Sequence, residues 1–427
     1  MSIHQISTKV CIIGASPAGL LIANILQKHR IASVVIEERS PKEPYTGLGT
    51  DSIDYQGLTI LKEYGLSDRL IKEGIPQSQC EFRTLDKSFV LDYGAKSQGQ
   101  THYAFPQAEL LRDLAKKYRQ AGGEILFNAE EIEIINSDRF AMVKCKQNGR
   151  RVNLECDFIA GCDGFDGVSR QAIPLTIAQP HNKDFDYTWL AITVAAKPAA
   201  KHAVYSMHPN GFAGCMLRDR TTSNYYLQVS PGDTVEDWSD SRIWSELNLR
   251  LAQEDEQLDK GEIVTKEISN MRHSTLQKMQ YCRLFLAGSS AHVLTPAGGK
   301  GINLALQDGH ALGKSLVGYY LYHDNLPLKH YSKNRLPIIR QTQQFCESFL
   351  HTINTLDSST LVGKSQERVQ RFKRLQLMST GTYALDFSRK YVGYVESDRS
   401  IRKLPQPKKS ADVLEFNPAQ LPPLKVG

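Results

Sequence analysis

The stretch over residues 9–38 constrains the fold of this chain more than any other. It begins with an apolar run, Val10–Ile13, that leads into a glycine-containing turn over residues 14–19. Apolar residues then recur at helical spacing as far as Leu26, and a second apolar run, Val34–Ile36, follows. The pattern predicts a strand, a tight turn, a helix and a second strand.

The turn and the end of the second strand suit a dinucleotide. Unpaired N–H groups and the dipole at a helix N-terminus favour a pyrophosphate, so Gly14, Ser16 and Gly19 are candidate pyrophosphate residues. Glu37 lies where a carboxylate receives the hydroxyls of an adenosine ribose, which favours FAD or NAD over a 2′-phosphorylated cofactor. In the alternative interpretation, this is an ordinary βαβ unit whose glycines only pack the helix on the strand.

Length and composition narrow the class of protein. A chain of 427 residues with 41% hydrophobic and 23% charged residues predicts two or three folded domains. The net charge of +6 is dispersed and no nucleic-acid motif accompanies it, so we expect an anionic cofactor and substrate and no nucleic acid. The eight cysteines contain no C-x-x-C pair, so we expect no metal site and no disulfide framework. No apolar run approaches the roughly 20 residues of a membrane span, and a cytoplasmic protein without membrane contact is expected.

The order of strand and helix patterns predicts an α/β fold in which a dinucleotide-binding domain is interrupted by a β-rich insert. A helix is predicted over residues 107–121 and a strand over residues 282–288. The predicted division is a discontinuous cofactor domain (1–75, 102–176 and 276–320), a substrate domain (76–101 and 177–275), a helical C-terminal region (321–399) and a basic, Pro-rich tail (400–427). Three glycine-containing strand ends, at Gly14, Asp163-Gly164 and Gly288, should converge on one ligand.

Four further stretches carry a family resemblance. They are CDFIAGCDGFDGVSRQAIP (156–174), VEDWSDSRIWSEL (235–247), RLFLAGSSAHVLTPAGGKGINLA (283–305) and KYVGY (390–394). With the opening stretch, they make the chain resemble the single-component FAD aromatic hydroxylases, the para-hydroxybenzoate hydroxylase family of group A flavoprotein monooxygenases. The resemblance implies a Rossmann-like FAD domain of the glutathione-reductase type with an inserted antiparallel substrate sheet and a helical C-terminal region.

The resemblance also implies a reaction. NAD(P)H reduces FAD, O2 adds to give a C4a-hydroperoxide, and one oxygen enters the ring of a para-substituted aromatic carboxylic acid such as 4-hydroxybenzoate or 4-aminobenzoate. A homodimer is one expectation for the assembly. Two alternatives stay open: decarboxylative hydroxylation on the same scaffold, and a flavin-degenerate protein that is a cofactor-free enzyme or an aromatic-acid-binding protein.

Site residues follow from positions that match the family. The implied cofactor residues are Gly14, Ser16 and Gly19 at the pyrophosphate, Glu37 at the ribose, Gln107 and Arg112 near the ribityl and phosphate groups, Asp163, Gly164 and Ser289 at the strand ends, and Lys300, Gly301 and Asn303 near the isoalloxazine. The implied substrate residues are Arg218 and Tyr226 at the carboxylate, Met216 and Ala297 beside it, the Tyr205–Tyr391 pair that relays the proton of the para-oxygen, and Pro296, whose carbonyl fixes the ring. Tyr205, Tyr391, Lys300 and Pro296 are the implied catalytic residues.

Several residues depart from the family pattern at the flavin. Ser289 stands where an aspartate usually holds the ribityl chain, and Asn224 replaces an arginine that contacts the flavin. Gly47 and Gly49 replace two further arginines. These departures predict weaker FAD binding than is usual in the family.

Other departures affect the nicotinamide and the proton path. Glu38 and Asp166 replace basic or imidazole groups that meet NADPH, so NADH should be favoured, with Arg170 and Arg272 left for the pyrophosphate. Gln77 stands where a histidine would pass the substrate proton to solvent, which predicts slower deprotonation or another route.

Overall fold

The computed structural model describes residues 3–41, 51–85, 87–251, 258–355 and 381–393, together with residues 369, 373, 375, 376 and 378. Gly47, Gly49 and the tail from residue 400 lie outside these ranges. Within the described ranges, no helix is both long and apolar enough to cross a membrane.

The secondary structure alternates between strands and helices along the chain. The strands are β1 (His4–Ile13), β2 (Ser33–Ile36), β3 (Ser52–Ile53), β4 (Ile75–Gln77), β5 (Gln79–Arg83), β6 (Ser88–Asp92), β7 (His102–Ala104), β8 (Glu124–Leu126), β9 (Ala129–Asn136), β10 (Ala141–Gln147), β11 (Arg150–Gly161), β12 (Pro180–Ala195), β13 (Ala203–His208), β14 (Gly211–Leu217), β15 (Ser223–Val229), β16 (Glu262–Leu276), β17 (Gln280–Tyr281), β18 (Leu284–Leu286) and β19 (His292–Val293). The helices are α1 (Pro17–Lys28), α2 (Tyr55–Glu63), α3 (Asp68–Glu73), α4 (Tyr93–Lys96), α5 (Gln107–Gln120), α6 (Val168–Gln171), α7 (Leu175–Ala178), α8 (Asp240–Leu251), α9 (Gly301–Tyr322), α10 (Leu326–Lys329), α11 (Tyr331–Ile353) and α12 (Gly381–Tyr391).

The first sheet is built around the opening stretch of the sequence. Its order is β17-β18-β11-β1-β2-β8, and β9 and β10 extend it from β11. Strand β1 is parallel to both β2 and β11, so that Ile13 lies level with Ile36 and Gly161. The carboxyl ends of β1, β2, β11 and β18 therefore meet at one edge, and the predicted α/β fold is confirmed.

The second sheet is mainly antiparallel, with the order β19-β16-β12-β15-β14-β13-β5-β6. Helices α11 and α12 pack on its aromatic face, where Phe349 and Phe387 contact Phe82 of β5. A three-stranded sheet, β3-β7-β4, is the third sheet of the fold. The exact domain boundaries stay a prediction.

One predicted strand was too long. The run over residues 282–288 forms only β18, because Cys282 adopts a positive φ of 51° in the tight turn from β17, and Gly288 begins a short 3-10 turn, Gly288–Ser290. The predicted helix over residues 107–121 is confirmed as α5.

Candidate active site

A cleft of about 760 Å³ lies where the strands of the first sheet end. Eight of the predicted cofactor residues line it: Gly14, Ser16, Glu37, Gln107, Asp163, Gly164, Ser289 and Gly301. Gly19 packs directly behind the turn, because a Cβ atom there would lie 2.2 Å from the carbonyl oxygen of Gly14. The three strand ends converge on this one cleft.

The turn after β1 needs its first glycine. Gly14 has a φ of +101°, and a Cβ atom there would lie 2.4 Å from the carbonyl oxygen of Cys162 in the neighbouring chain segment. Ser16, at the position of the missing middle glycine, is the N-cap of α1, and its Oγ accepts a hydrogen bond from the N–H of Gly19 at 3.3 Å. The N-terminus of α1 is thereby fixed at the cleft.

Glu37 is buried at the end of β2 and connects it to the glycine turn. Its carboxylate accepts hydrogen bonds from the N–H of Ala15 at 2.6 Å and from Nε of Arg39 at 2.7 Å. Burial alone would raise the pKa of Glu37, but the contacts with Arg39 outweigh burial and hold that pKa below its usual value. An ionised carboxylate is therefore present at the predicted ribose position.

Asp163 joins the end of β11 to the 3-10 turn. Its Oδ1 accepts a hydrogen bond from Oγ of Ser290 at 3.0 Å, and its Oδ2 accepts one from the N–H of Ser169 at 2.9 Å. Ser290 Oγ in turn accepts from the N–H of Gly164 at 2.9 Å. Ser289 is exposed and lines the cleft, whereas the next residue, Ser290, belongs to this hydrogen-bond network.

A buried ion network beneath the same turn was missed by sequence reasoning. Asp308 of α9 accepts hydrogen bonds from the N–H of Gly288 at 3.0 Å, Nε2 of His292 at 2.6 Å and Nε of Arg335 at 2.7 Å. The sequence carries a signal for it, since an acid among the apolar residues of a buried helix must find a partner. The network holds the start of the 3-10 turn against α9.

Four predicted cofactor residues are not among the described residues that line the cleft: Gly19, which packs behind the turn, and Arg112, Lys300 and Asn303. Arg112 is exposed on α5 and pairs with Glu109. Lys300 is buried, with Nζ 3.0 Å from Oδ2 of Asp54, and Asn303 accepts a hydrogen bond from the N–H of Asp54 at 2.9 Å. Lys300 and Asn303 line a separate cavity of about 470 Å³. Their assignment to the cofactor stays a prediction.

A third, small cavity of about 70 Å³ lies next to the cleft, and several aromatic side chains line it. The predicted substrate and catalytic residues that line it are Tyr205, Met216, Tyr226, Pro296, Ala297 and Tyr391. The lining residues that sequence reasoning missed include Asp51, Tyr93, His102 and Trp189. Pro296 lines both cavities, so the two meet at this residue.

Two buried tyrosines bring their hydroxyl groups together in this cavity. The oxygens of Tyr205 and Tyr391 lie 2.7 Å apart. Burial raises the pKa of both phenols, so both are neutral and each can donate one hydrogen bond and accept another. Nε2 of His102 lies 2.6 Å from the carbonyl oxygen of Tyr391, and burial lowers the pKa of His102 to about 4.

Arg218 contacts the cavity wall through an acid that the sequence analysis did not single out. Its Nε lies 3.2 Å from Oδ2 of Asp51. Asp51 also accepts hydrogen bonds from the N–H of Gln107 at 2.8 Å and from Nδ2 of Asn224 at 2.9 Å. Asp51 lines the small cavity, whereas the lining does not include Arg218.

The cleft offers polar groups that suit FAD. His292 and Thr295 line the cleft, and among the described residues the buried Nδ1 of His292 and Oγ1 of Thr295 have no hydrogen-bond partner. Buried polar atoms of this kind normally find a partner. Together with the glycine turn and the ionised Glu37, they fit a large, polar dinucleotide cofactor.

Comparison with known proteins identifies the class. A family model described as FAD binding domain matches residues 7–346. The p-hydroxybenzoate hydroxylase of Acinetobacter baylyi is 32% identical over 358 residues, which cover 84% of this chain and 89% of that protein. A 3-(3-hydroxy-phenyl)propionate/3-hydroxycinnamic acid hydroxylase of Mycolicibacterium gilvum is 24% identical over 337 residues, covering 74% of this chain and 54% of that longer protein.

The fold is shared with a solved p-nitrophenol 4-monooxygenase of Pseudomonas putida, with a TM-score of 0.77 and 18% identity over 91% of this chain and 97% of that chain. Fold, cleft and similarity together define a flavoprotein monooxygenase with an FAD-binding domain. The chain belongs to the FAD-dependent aromatic hydroxylases, the family that includes the p-hydroxybenzoate hydroxylase of Acinetobacter baylyi. The family resemblance read from the sequence is confirmed.

Proposed function

We propose that this protein hydroxylates a small para-substituted aromatic carboxylic acid of the 4-hydroxybenzoate or 4-aminobenzoate type, with FAD, O2 and a reduced nicotinamide. The observation that carries the proposal is the hydroxyl pair of Tyr205 and Tyr391, 2.7 Å apart in an aromatic cavity that meets the cofactor cleft at Pro296. A cavity of about 70 Å³ suits one ring better than a fused ring system.

The tyrosine pair supplies proton chemistry at the substrate. A para-hydroxyl beside Tyr205 can lose its proton by a relay in which Tyr205 and Tyr391 each accept one proton and donate another, the last one leaving to water. The resulting phenolate is a stronger carbon nucleophile than the phenol. A bound, reduced FAD would supply the activation of O2, and O2 would supply the oxygen atom that enters the ring. The backbone of Pro296 lies between the two cavities and would orient the ring edge toward the cofactor.

The charges at the mouth of the cleft support NADH as the reductant. Glu38 and Asp166 both line the cleft, and carboxylates there would repel the 2′-phosphate of NADPH. Arg170 and Arg272 lie over the ring of Phe165, with guanidinium carbons 4.6 and 4.2 Å from its centroid. Phe165 lines the cleft, so these two cations lie next to it and suit the pyrophosphate that both nicotinamides share.

Purified protein, saturated with FAD, tests the proposal. NADH oxidation should accelerate when 4-hydroxybenzoate or 4-aminobenzoate is added, and the product should gain one oxygen atom and keep its carboxylate. A product that has lost CO2 would instead indicate decarboxylative hydroxylation. Protein that binds no FAD yet binds the acids would overturn the proposal in favour of a flavin-degenerate protein.

A further inference from the structure

We propose that Asp51 is a specificity-determining residue: it occupies the guanidinium of Arg218 and must release it, with the uptake of one proton, before an aromatic carboxylate can bind there. This inference rests on the proposed function, because it concerns the carboxylate of the proposed substrate. It adds that the carboxylate of Asp51 competes with the substrate's carboxylate for the guanidinium of Arg218.

The geometry sets the two carboxylates in competition. Oδ2 of Asp51 lies 3.2 Å from Nε of Arg218 and 2.9 Å from Nδ2 of Asn224, while Oδ1 accepts the N–H of Gln107 at 2.8 Å. The Asp51 side chain is 8% exposed and lines the small cavity, and the Arg218 side chain is 28% exposed and lies outside that lining. A ligand in the cavity therefore meets the carboxylate of Asp51 at the point where the guanidinium is held.

Charge balance then requires a proton. One guanidinium cannot neutralise two carboxylates, and like charges at one site raise the pKa of one of them. When the substrate's carboxylate takes Arg218, Asp51 takes a proton from solvent, so the net charge of the site is unchanged and no other bond is made or broken. Asp51 keeps its N–H contact from Gln107 in either state.

The surrounding groups favour Asp51 as the group that takes the proton. Burial raises the pKa of Asp51 despite the opposing contacts with Arg218, Gln107 and Asn224, and Asp219 adds to the rise. Tyr226, which faces the same pair, has its pKa raised by burial and by Asp51 and stays neutral. His102 in the same cavity is neutral between pH 6 and 8, since its pKa is lowered to about 4.

Calorimetric binding of 4-hydroxybenzoate to the FAD-saturated protein tests the inference at pH 6, 7 and 8, in two buffers of different ionisation enthalpy. We expect the wild type to take up about one proton, so that its Kd rises by up to about tenfold per pH unit. Asp51→Asn, which keeps an acceptor for the N–H of Gln107, and the smaller Asp51→Ser should bind the acid without proton uptake. Both variants should show no pH dependence and bind at least tenfold more tightly than the wild type at pH 8.

Two controls separate this exchange from a general effect of charge. The neutral isostere 4-hydroxybenzamide should bind all variants with no proton uptake and no gain in affinity. Asp219→Asn removes a neighbouring charge but leaves the Asp51–Arg218 pair, so it should retain the proton uptake of the wild type.

The outcomes distinguish the inference from the function on which it rests. If the acid binds but the wild type takes up no proton, or the Asp51 variants bind it no more tightly, the inference alone is overturned. If neither the wild type nor the variants bind the acid while the benzamide binds, both the inference and the aromatic-acid function are overturned.

Discussion

Replacing Asp308 with asparagine should destabilise the protein more than any comparable change at a surface carboxylate. The Asp308 side chain is completely buried, and its partner Arg335 is 7% exposed at 2.7 Å. Asparagine can keep one acceptor oxygen for the N–H of Gly288 or for His292. It cannot neutralise the guanidinium, which is then left as a buried and unpaired charge.

The magnitude follows from that burial. Removing one partner of a buried ion pair costs about 3–5 kcal/mol, and each kcal/mol lowers the melting temperature of a larger domain by about 2 °C. We therefore expect the midpoint of thermal unfolding of Asp308→Asn to lie about 6–10 °C below that of the wild type. Burial opposes ionisation of Asp308, but Arg335 and His292 outweigh it and lower its pKa. The stabilisation of the folded protein by ionised Asp308 is therefore fully present at pH 7, and it is lost only as pH falls through that lowered pKa.

Thermal unfolding at pH 7, followed by circular dichroism, measures the difference. Asp386→Asn is the matched control, because Asp386 pairs with Lys390 at 2.8 Å but the two side chains are 55% and 39% exposed. An exposed pair of this kind contributes about 0–1 kcal/mol, so its midpoint should move by no more than about 2 °C. Equal midpoints for the two variants would refute the argument. A second readout is FAD affinity, which should weaken in Asp308→Asn because Gly288 begins the turn that lines the cleft.

Three further predictions concern the site itself. Tyr391→Phe breaks the buried hydroxyl pair with Tyr205 and should lower the rate of ring hydroxylation by about 100-fold. The rate is measured as hydroxylated product formed per unit time, and an unchanged rate would contradict a proton relay. Ser289→Asp should lower the Kd for FAD by about tenfold through one charge-assisted hydrogen bond, measured by flavin fluorescence. An unchanged Kd would show that the serine does not weaken FAD binding. Glu38→Gln should raise kcat/KM for NADPH about fivefold, since one nearby charge is worth about 1 kcal/mol in water. The kcat/KM for NADH should not change, and a fall in the NADPH value would contradict the proposed repulsion.

The opening βαβ unit could be predicted because its signal is local. Apolar runs and helical spacing determine β1, α1 and β2, and a serine at the turn becomes the N-cap of α1. The start of β1 could not be predicted, since His4 is exposed and polar and belongs to the strand only by pairing with Val152 of β11. A pairing partner almost 150 residues away leaves no periodicity in the sequence.

The aromatic cavity needed information beyond residue patterns. Tyr205 and Tyr391 are 186 positions apart, and only the family resemblance suggested that they act together. The structure brings their hydroxyl groups within hydrogen-bond distance. His102 carried no comparable signal, because a lone histidine in a short strand is ordinary until the fold surrounds it with Tyr93 and Tyr391.

The hardest feature to predict was the choice of partner by each buried charge. Sequence reasoning treated Arg218 and Lys300 as cations available to substrate and cofactor, yet Asp51 and Asp54, at the two ends of β3, pair with them across 167 and 246 positions. Both acids lie in one four-residue segment, so that segment pairs with the cation predicted for the substrate carboxylate and with the lysine predicted for the isoalloxazine. Under the exchange proposed above, a substrate carboxylate at Arg218 displaces Asp51 rather than meeting a free cation. The charge that this site accepts then depends on an acid that flanks β3 as well as on the arginine that sequence matching assigns to the substrate.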